Sequence, residues 1–417
     1  MRVVLSHREF HYDEETDPMR PKAIVLSTCL LGFAACSGGF GKIGETNPNS
    51  ADNAAAEAAK KNPFLNVNFY INPEYVASVE ATAKRNPAMA DKIRKVAEYP
   101  SAIWLDSISA IPNIPKTLDE AKKQQAASGK PTLSVFIVYD LPNRDCSANS
   151  SAGELRLDQN GEARYINEYI APIKAHFQAY PDQPIVAVIE PDSLGNLATN
   201  MGLPTCSAAA AAYKKLTAHA IKELALPNVS LYLDAAHAGW LGWDGNREKI
   251  VSVYKSVLKM AGGPHLIRGF ATNVSNYTHL YNHDGKILEP TNPCFNELEY
   301  AKKLLVTLSM SGIKNKAVII DTARNGRGNI RKKWGYWCNI RGAGLGERPQ
   351  AAPRPDIAID AYFWLKPPGE SDGVSDSTQP RFDPECTNPD SVRDAPQAGK
   401  WFEKYFLDLV NNAEPPL

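Results

Sequence analysis

The sequence has no excess of either charge: lysine plus arginine and aspartate plus glutamate number 46 each in 417 residues. A chain so balanced does not hold nucleic acid or another polyanion by bulk charge. Beyond the N-terminal region, no apolar run approaches the length of a membrane span. None of the seven cysteines forms a Cys-x-x-Cys pair and no histidine cluster accompanies them, so no zinc site is expected. The Gly-x-Gly-x-x-Gly turn is missing after every candidate strand, which removes the dinucleotide-binding fingerprint. No metal and no cofactor are expected.

What the sequence does have begins at Met19. Arg20 and Lys22 form a basic head, Ala23 to Ala35 an apolar run, and small residues follow through Cys36-Ser37-Gly38-Gly39. This is the pattern of a secretory signal, which implies export and a disulfide-permissive compartment. We therefore expect an upstream extension over 1–18, a signal peptide over 19–37, a short linker over 38–61 and one large domain over 62–417. The run Leu31 to Cys36 also faintly resembles a bacterial lipoprotein cleavage site.

From Asn62 one theme recurs: an apolar run, a polar tip, a loop and a helical stretch. The runs are Val67–Ile71, Ala102–Leu105, Leu133–Tyr139, Ile185–Ile189, Val229–Leu233, Phe270–Thr272, Ala317–Ile320 and Tyr362–Leu365. Strands alternating with helices imply a parallel sheet, and eight such units favour a closed β/α barrel. Residues at the carboxyl ends of barrel strands face the active site. Asp106, Asp140, Asp192, Asp234 and Asp321 gather there. Asp192 has an apolar strand behind it, and desolvation would raise its pKa as a general acid requires. The competing reading is that Asp192 only caps the helix beginning near Ser193.

Two connections, 141–165 and 367–398, are far longer than ordinary loops and read as lids. Both carry cysteines. Pairing Cys146 with Cys206 and Cys338 with Cys386 would pin the lids to the barrel rim and leave Cys294 a free buried thiol. The first lid contains Arg144-Asp145 and the second Glu370-Ser371-Asp372. Acids approaching from two sides suit glycoside hydrolysis. A metal-binding carboxylate cluster is the alternative, and the interleaved Arg144, Arg324 and Lys366 count against it. Tryptophans Trp104, Trp240, Trp243, Trp334 and Trp337 lie at strand ends or in glycine-rich loops, where aromatic faces can pack on sugar rings.

The segments Tyr139-Asp-Leu-Pro-Asn-Arg-Asp145-Cys, Val188-Ile-Glu-Pro-Asp192-Ser-Leu, Leu233-Asp-Ala-Ala-His-Ala-Gly-Trp-Leu-Gly-Trp243 and Trp364-Leu-Lys-Pro-Pro-Gly-Glu-Ser-Asp372-Gly resemble glycoside hydrolase family 6, especially its fungal cellobiohydrolases. Trp337-Cys-Asn, Arg381-Phe-Asp and Ala395-Pro-Gln-Ala-Gly-Lys-Trp401 fit as well.

The resemblance implies a distorted seven-stranded parallel β/α barrel, so one of the eight runs should stay out of the closed sheet. It implies inverting hydrolysis of β-1,4-glucan, with cellulose and cello-oligosaccharides as partners and a secreted monomer as the working form. By position, Asp192 matches the general acid, Asp145 its supporting aspartate, Ser151 the serine placing the water, Asp372 the carboxylate proposed as base, and Tyr139 the tyrosine crowding the distorted sugar. Trp104, Trp240, Trp243 and Trp337 match sugar platforms. His237, Asn273, Lys366 and Glu370 match polar binders, with Arg144 and Arg324 added as substrate-binding cations. The family's two bridges match the cysteine pairs above. The chain departs in carrying no small cellulose-binding module and no Ser/Thr/Pro linker. It also has Asp234-Ala-Ala236-His237 where Asp-Gly-His is common.

Overall fold

The computed structural model describes residues 61–281 and 289–417. The expected extension, signal and nearly all of the linker lie outside the described residues. Apolar β-branched runs become strands when a sheet is covered on both faces. Nine occur among the described residues: β1 (Asn68–Phe69), β2 (Ile103–Leu105), β3 (Thr132–Val138), β4 (Ile185–Ile189), β5 (Val229–Asp234), β6 (Gly269–Thr272), β7 (Ala317–Asp321), β8 (Gln350–Arg354) and β9 (Ile359–Phe363). All eight expected runs are strands, although the last begins at Ile359 rather than Tyr362.

Seven of them, β2 to β7 and then β9, form one curled parallel sheet in that order. The run left out is β1, two residues paired with the start of β3, whereas β2 pairs with the end of β3. Strands β2 and β9 do not pair, so the barrel has a seam. It is bridged just past β9, where Ala102 N–H donates to Trp364 O at 3.0 Å and Trp104 Nε1 donates to Leu365 O at 2.9 Å. The sequence pattern missed β8. It runs antiparallel to β9 at the sheet edge and contains Pro353, and edges are where a strand tolerates proline.

Side chains alternate between two cores, as the period of two along a strand demands. Val135 and Ile137 of β3, Val186 and Val188 of β4, Tyr232 of β5, Ile319 of β7 and Phe363 of β9 meet in one cluster, which fills the barrel interior. Their neighbours Phe136, Val138, Ala187 and Leu231 pack outward against helices such as Pro204–Leu224 and Asp244–Ala261.

At the end of the barrel away from the strand tips, β9 carries a bulge. Val318 and Ile319 pair with Ile359 and Ala361, and Asp360 is the extra residue. Its carboxylate takes a fork from Arg268, Nε to Oδ2 and Nη2 to Oδ1, both at 2.7 Å, and the Tyr232 hydroxyl at 2.6 Å. Removing one partner of a buried pair strands the other charge. Asp360→Ala should therefore cost about 3–5 kcal/mol of stability while the folded fraction keeps its site. Urea unfolding measures this, and a loss within error of zero would contradict it.

Candidate active site

At its tip β4 breaks into Glu190, φ +49°, then Pro191, then Asp192, φ +63°. Left-handed backbone is tolerated by aspartate and costly for glutamate, and such strain persists only where surroundings hold it. Here they do. Glu190 accepts the N–H groups of Asp140 and Leu141, each at 3.3 Å, and the Tyr165 hydroxyl at 2.7 Å, so it anchors the base of the first lid. Asp192 begins the helix Ser193–Thr199, yet its side chain makes no capping bond. Instead the carboxyl lines a cavity of about 320 Å³ at the strand tips. Burial, then the anions Asp145 and Asp234, hold its pKa well above the ordinary carboxylate range.

The other tips divide the work. Asp234 accepts the N–H groups of Asp192 and Ala236, both at 3.1 Å. Asp321 accepts those of Ser275 and Lys366 at 3.0 Å and of Ala323 at 2.9 Å. Asp140 takes Arg144 Nη1 at 3.3 Å. Thus three of the five gathered aspartates fix loops, while Asp106 and Asp192 reach the cavity wall.

The lids bring the remaining acids. Bridges Cys146–Cys206 and Cys338–Cys386 pin them, and Cys294 is free and buried. In the first lid Arg144 donates Nε to Ser151 O at 2.8 Å and Nη1 to the carbonyls of Asp106 and Tyr139, and it covers the Tyr139 ring at 4.3 Å. The clamp presents Asp145, φ +53°, whose Oδ2 accepts the Ser151 hydroxyl. Burial raises Asp145 to about 6, against the lowering effect of Ser151 and Arg144.

In the second lid both oxygens of Asp372 are engaged. Oδ1 takes Arg324 Nη1 at 2.6 Å, and Oδ2 takes Asn339 N–H at 2.8 Å and the Tyr277 hydroxyl. The lids meet. Asn149 N–H donates to Asp383 Oδ2 at 2.7 Å, Asn149 Nδ2 to Phe382 O at 2.9 Å, and Arg381 Nε to Ser150 O at 2.8 Å. A Cβ on Gly373 would lie 2.7 Å from Ser150 Cβ and 2.5 Å from Cys386 Sγ, so the contact has no slack.

Asp145, Asp192, Asp372, Tyr139 and Ser151 all line the cavity. So do Trp104, Trp240, Trp337, His237, Lys366 and Glu370. Lys366 Nζ sits 5.2 Å over the Trp104 ring and 3.4 Å from Glu370 Oε2. His237 Nε2 faces Asn276 Nδ2 at 3.0 Å, which makes Nε2 the acceptor and places the ring proton on Nδ1. Burial and Arg331 push His237 down to about 3, so the ring is neutral.

Of the residues expected to bind substrate, Asn273, Arg324 and Trp243 do not line the cavity, and Arg144 lines it with its donors engaged. Asn273 is fully buried, with its amide donated to Thr278 O at 3.1 Å and Asp321 O at 2.9 Å. Arg324 holds Asp372 from behind and does not reach the wall. Arg144 reaches the wall but turns Nε to Ser151 O of the lid and Nη1 to the rim carbonyls of Asp106 and Tyr139. Trp243 does not line the cavity; it packs on Trp334, ring centroids 5.2 Å apart, and Trp334 does. Sequence reasoning assigned no site role to Asn276, Arg331, Asn339, Arg381 or Asp383, and placed Trp334 only among the tryptophans that can pack on sugar rings. The segments Trp337-Cys-Asn and Arg381-Phe-Asp were the available signal for Asn339, Arg381 and Asp383.

The buried acids set a pH dependence. Burial raises Asp145 and Asp321 to about 6, Glu190 and Asp234 to about 7, Glu297 to about 8 and Asp140 to about 9. In the unfolded chain such groups titrate near about 4. Between those values the folded state holds more protons than the unfolded one, so stability falls as pH rises. The contribution is complete below about pH 4 and is lost through about pH 6–9. The urea midpoint should be higher at about pH 5 than at about pH 8, and the reverse order would contradict these environments.

The chain matches Glycosyl hydrolases family 6 over residues 64–413. A putative endoglucanase type B of Fusarium oxysporum is 43% identical over 361 residues, which are 86% of this chain and 78% of that protein. Exoglucanase 3 of Agaricus bisporus is 39% identical over 358 residues, 85% and 80% of the two chains. The catalytic core domain of the cellobiohydrolase from Chaetomium thermophilum superposes with a TM-score of 0.82 at 40% identity, covering 85% of this chain and 99% of that one. Cellobiohydrolase II from Humicola insolens, solved with glucose and cellotetraose, gives 0.82 at 38% identity over 86% and 100%. A match that spans the whole described barrel, at this identity and with both lids inside it, makes this chain a member of glycosyl hydrolases family 6.

Proposed function

We propose that the chain is an inverting cellulase that cleaves β-1,4-glucosidic bonds and releases cellobiose from non-reducing chain ends. The observation that carries the reading is the hydrogen-bonded meeting of the two lids over a cavity lined by Asp145, Asp192 and Asp372. A roofed cavity admits a chain by its end, and the aromatic walls at Trp104, Trp240 and Trp337 suit stacked sugar rings. Relatives named exoglucanase and cellobiohydrolase support the cellulose assignment.

Asp192 protonates the leaving glycosidic oxygen. Its burial beside two other carboxyls keeps that proton on at the pH where a free aspartate would have lost it. Water attacks from the opposite face, held by Ser151, and its proton passes through the serine hydroxyl to Asp145 Oδ2. The aspartate pair then begins and ends the step with one proton between them, which is what two close carboxyls favour. This reading moves the base from Asp372, whose oxygens are already held by Arg324, Asn339 and Tyr277. Asp372 contributes negative charge to the oxocarbenium-like transition state instead. With no carboxylate acting as nucleophile, the anomeric centre inverts.

The second reading, an endoglucanase, draws on the 43% identical relative of that name. Export and a monomeric state belong to the proposal too. The export signal lies outside the described residues, and no described helix is long and apolar enough to cross a membrane.

Asp192→Ala should lower turnover of cellotetraose by about 10²–10⁴-fold while oligosaccharide binding persists. NMR of the first product should show α-cellobiose, and carboxymethylcellulose should lose little viscosity. Initial β-anomer would overturn inversion. Rapid viscosity loss would move the enzyme to the endo reading and leave the chemistry in place.

A further inference from the structure

We infer that the cavity wall beside Trp334 binds a carboxylate carried by the glucan chain, with Arg331 as the cation that takes it. This rests on reading the cavity as a glucan tunnel, and it adds a charged class of substrate. Arg331 lines the cavity and is only 9% exposed. Among the described residues its hydrogen bonds run from Nη1 alone, to Tyr336 O at 3.0 Å and Asn276 Oδ1 at 3.5 Å. A guanidinium this deep is ordinarily answered by a carboxylate.

Of the other cations at the site, three are answered by a carboxylate and Arg381 by a carbonyl. Arg144 has Asp140 at 3.3 Å, Arg324 has Asp372 at 2.6 Å, Lys366 has Glu370 at 3.4 Å, and Arg381 is spent on Ser150 O. Among the described residues Arg331 has no ion pair, and Nε and Nη2 have no protein acceptor. Those two nitrogens form the edge that grips a carboxylate with two parallel bonds.

The groups around Arg331 do not compete for that edge. Asn276 and the neutral His237 face it with amide and imidazole. Glu297 is fully buried, accepts Ala238 N–H at 2.7 Å, and is raised to about 8 by burial, so it is uncharged at neutral pH. Asp390 is turned to Lys332 N–H at 2.5 Å. Lys332 and Lys333 follow Arg331, both exposed and neither in an ion pair among the described residues, so they extend the positive field outward. The complement is a β-1,4-glucan unit oxidised to a carboxylate. It can sit at C1, as an aldonate chain end, or at C6, as a uronate within the chain.

The test titrates tryptophan fluorescence in an Asp192→Asn background, with and without Arg331→Gln. The ligands are cellotetraose, its C1-oxidised aldonate, and cellotetraose carrying one C6 carboxylate. With Arg331 present, at least one oxidised ligand should bind as tightly as cellotetraose or tighter. Arg331→Gln should weaken that ligand by about tenfold more than cellotetraose. The ligand that responds identifies the position of the carboxylate. An equal loss for all three ligands, or no loss, overturns the inference. If Arg331→Gln fails to fold, the Lys332→Gln/Lys333→Gln variant decides: selective weakening of an oxidised ligand supports the field, and none overturns it. Failure to bind cellotetraose at all would overturn the glucan reading itself, which is a separate result.

Discussion

A carboxyl at the end of a buried strand must find donors, and in this protein most of them are loop amides. Glu190, Asp234 and Asp321 terminate or follow the parallel strands β4, β5 and β7 and together accept seven backbone N–H groups from the loops that build the site. Each bond stabilises the fold only modestly, but leaving such an acid unanswered would cost more than the bond contributes. The loops are therefore placed by the acids, not merely decorated with them. Ala236, Asn273 and Ser275 adopt left-handed backbone within this network, and their own amides are committed, to Asp234, to Ala236 O and to Asp321 respectively.

Two arginines repeat the principle in the lids. Arg144 ties the first lid to carbonyls at the barrel rim, and Arg324 ties Asp372 of the second to Tyr277 and to Ser275 O. Each lies over a tyrosine ring, at 4.3 Å and 4.4 Å. Neither needs to touch a sugar to matter. They exchange solvent for fixed dipoles around the three aspartates, which is how a closed site lowers the reorganisation cost of moving charge.

The barrel was legible because its strands are nearly unbroken apolar runs with polar tips, and the lids because they are long and carry cysteines. What the sequence could not say is which tip residue faces inward. Asp192 and Asp234 look alike in sequence, yet one lines the cavity and the other serves backbone. Only the path of the chain after each tip decides it. Asn273 and Asn276 show the same limit. They lie three residues apart, and the one expected to meet substrate is sealed under Thr278 while the other reaches His237. The edge strand β8 was hidden by its polar, proline-containing composition, since an edge needs little apolar surface. Arg331 carried no motif at all; its interest lies in bonds it does not make.

The seam between β2 and β9 has a mechanical side. Trp104 stands on one lip of the seam and Lys366 just past the other, with the ammonium over the indole. On the proposed reading, a glucose ring resting on Trp104 and hydrogen-bonded to Lys366 would span both lips at once. Substrate would then act as a rivet across the unpaired line of the barrel. The force that seats the sugar and the force that keeps the sheet curled would be the same force.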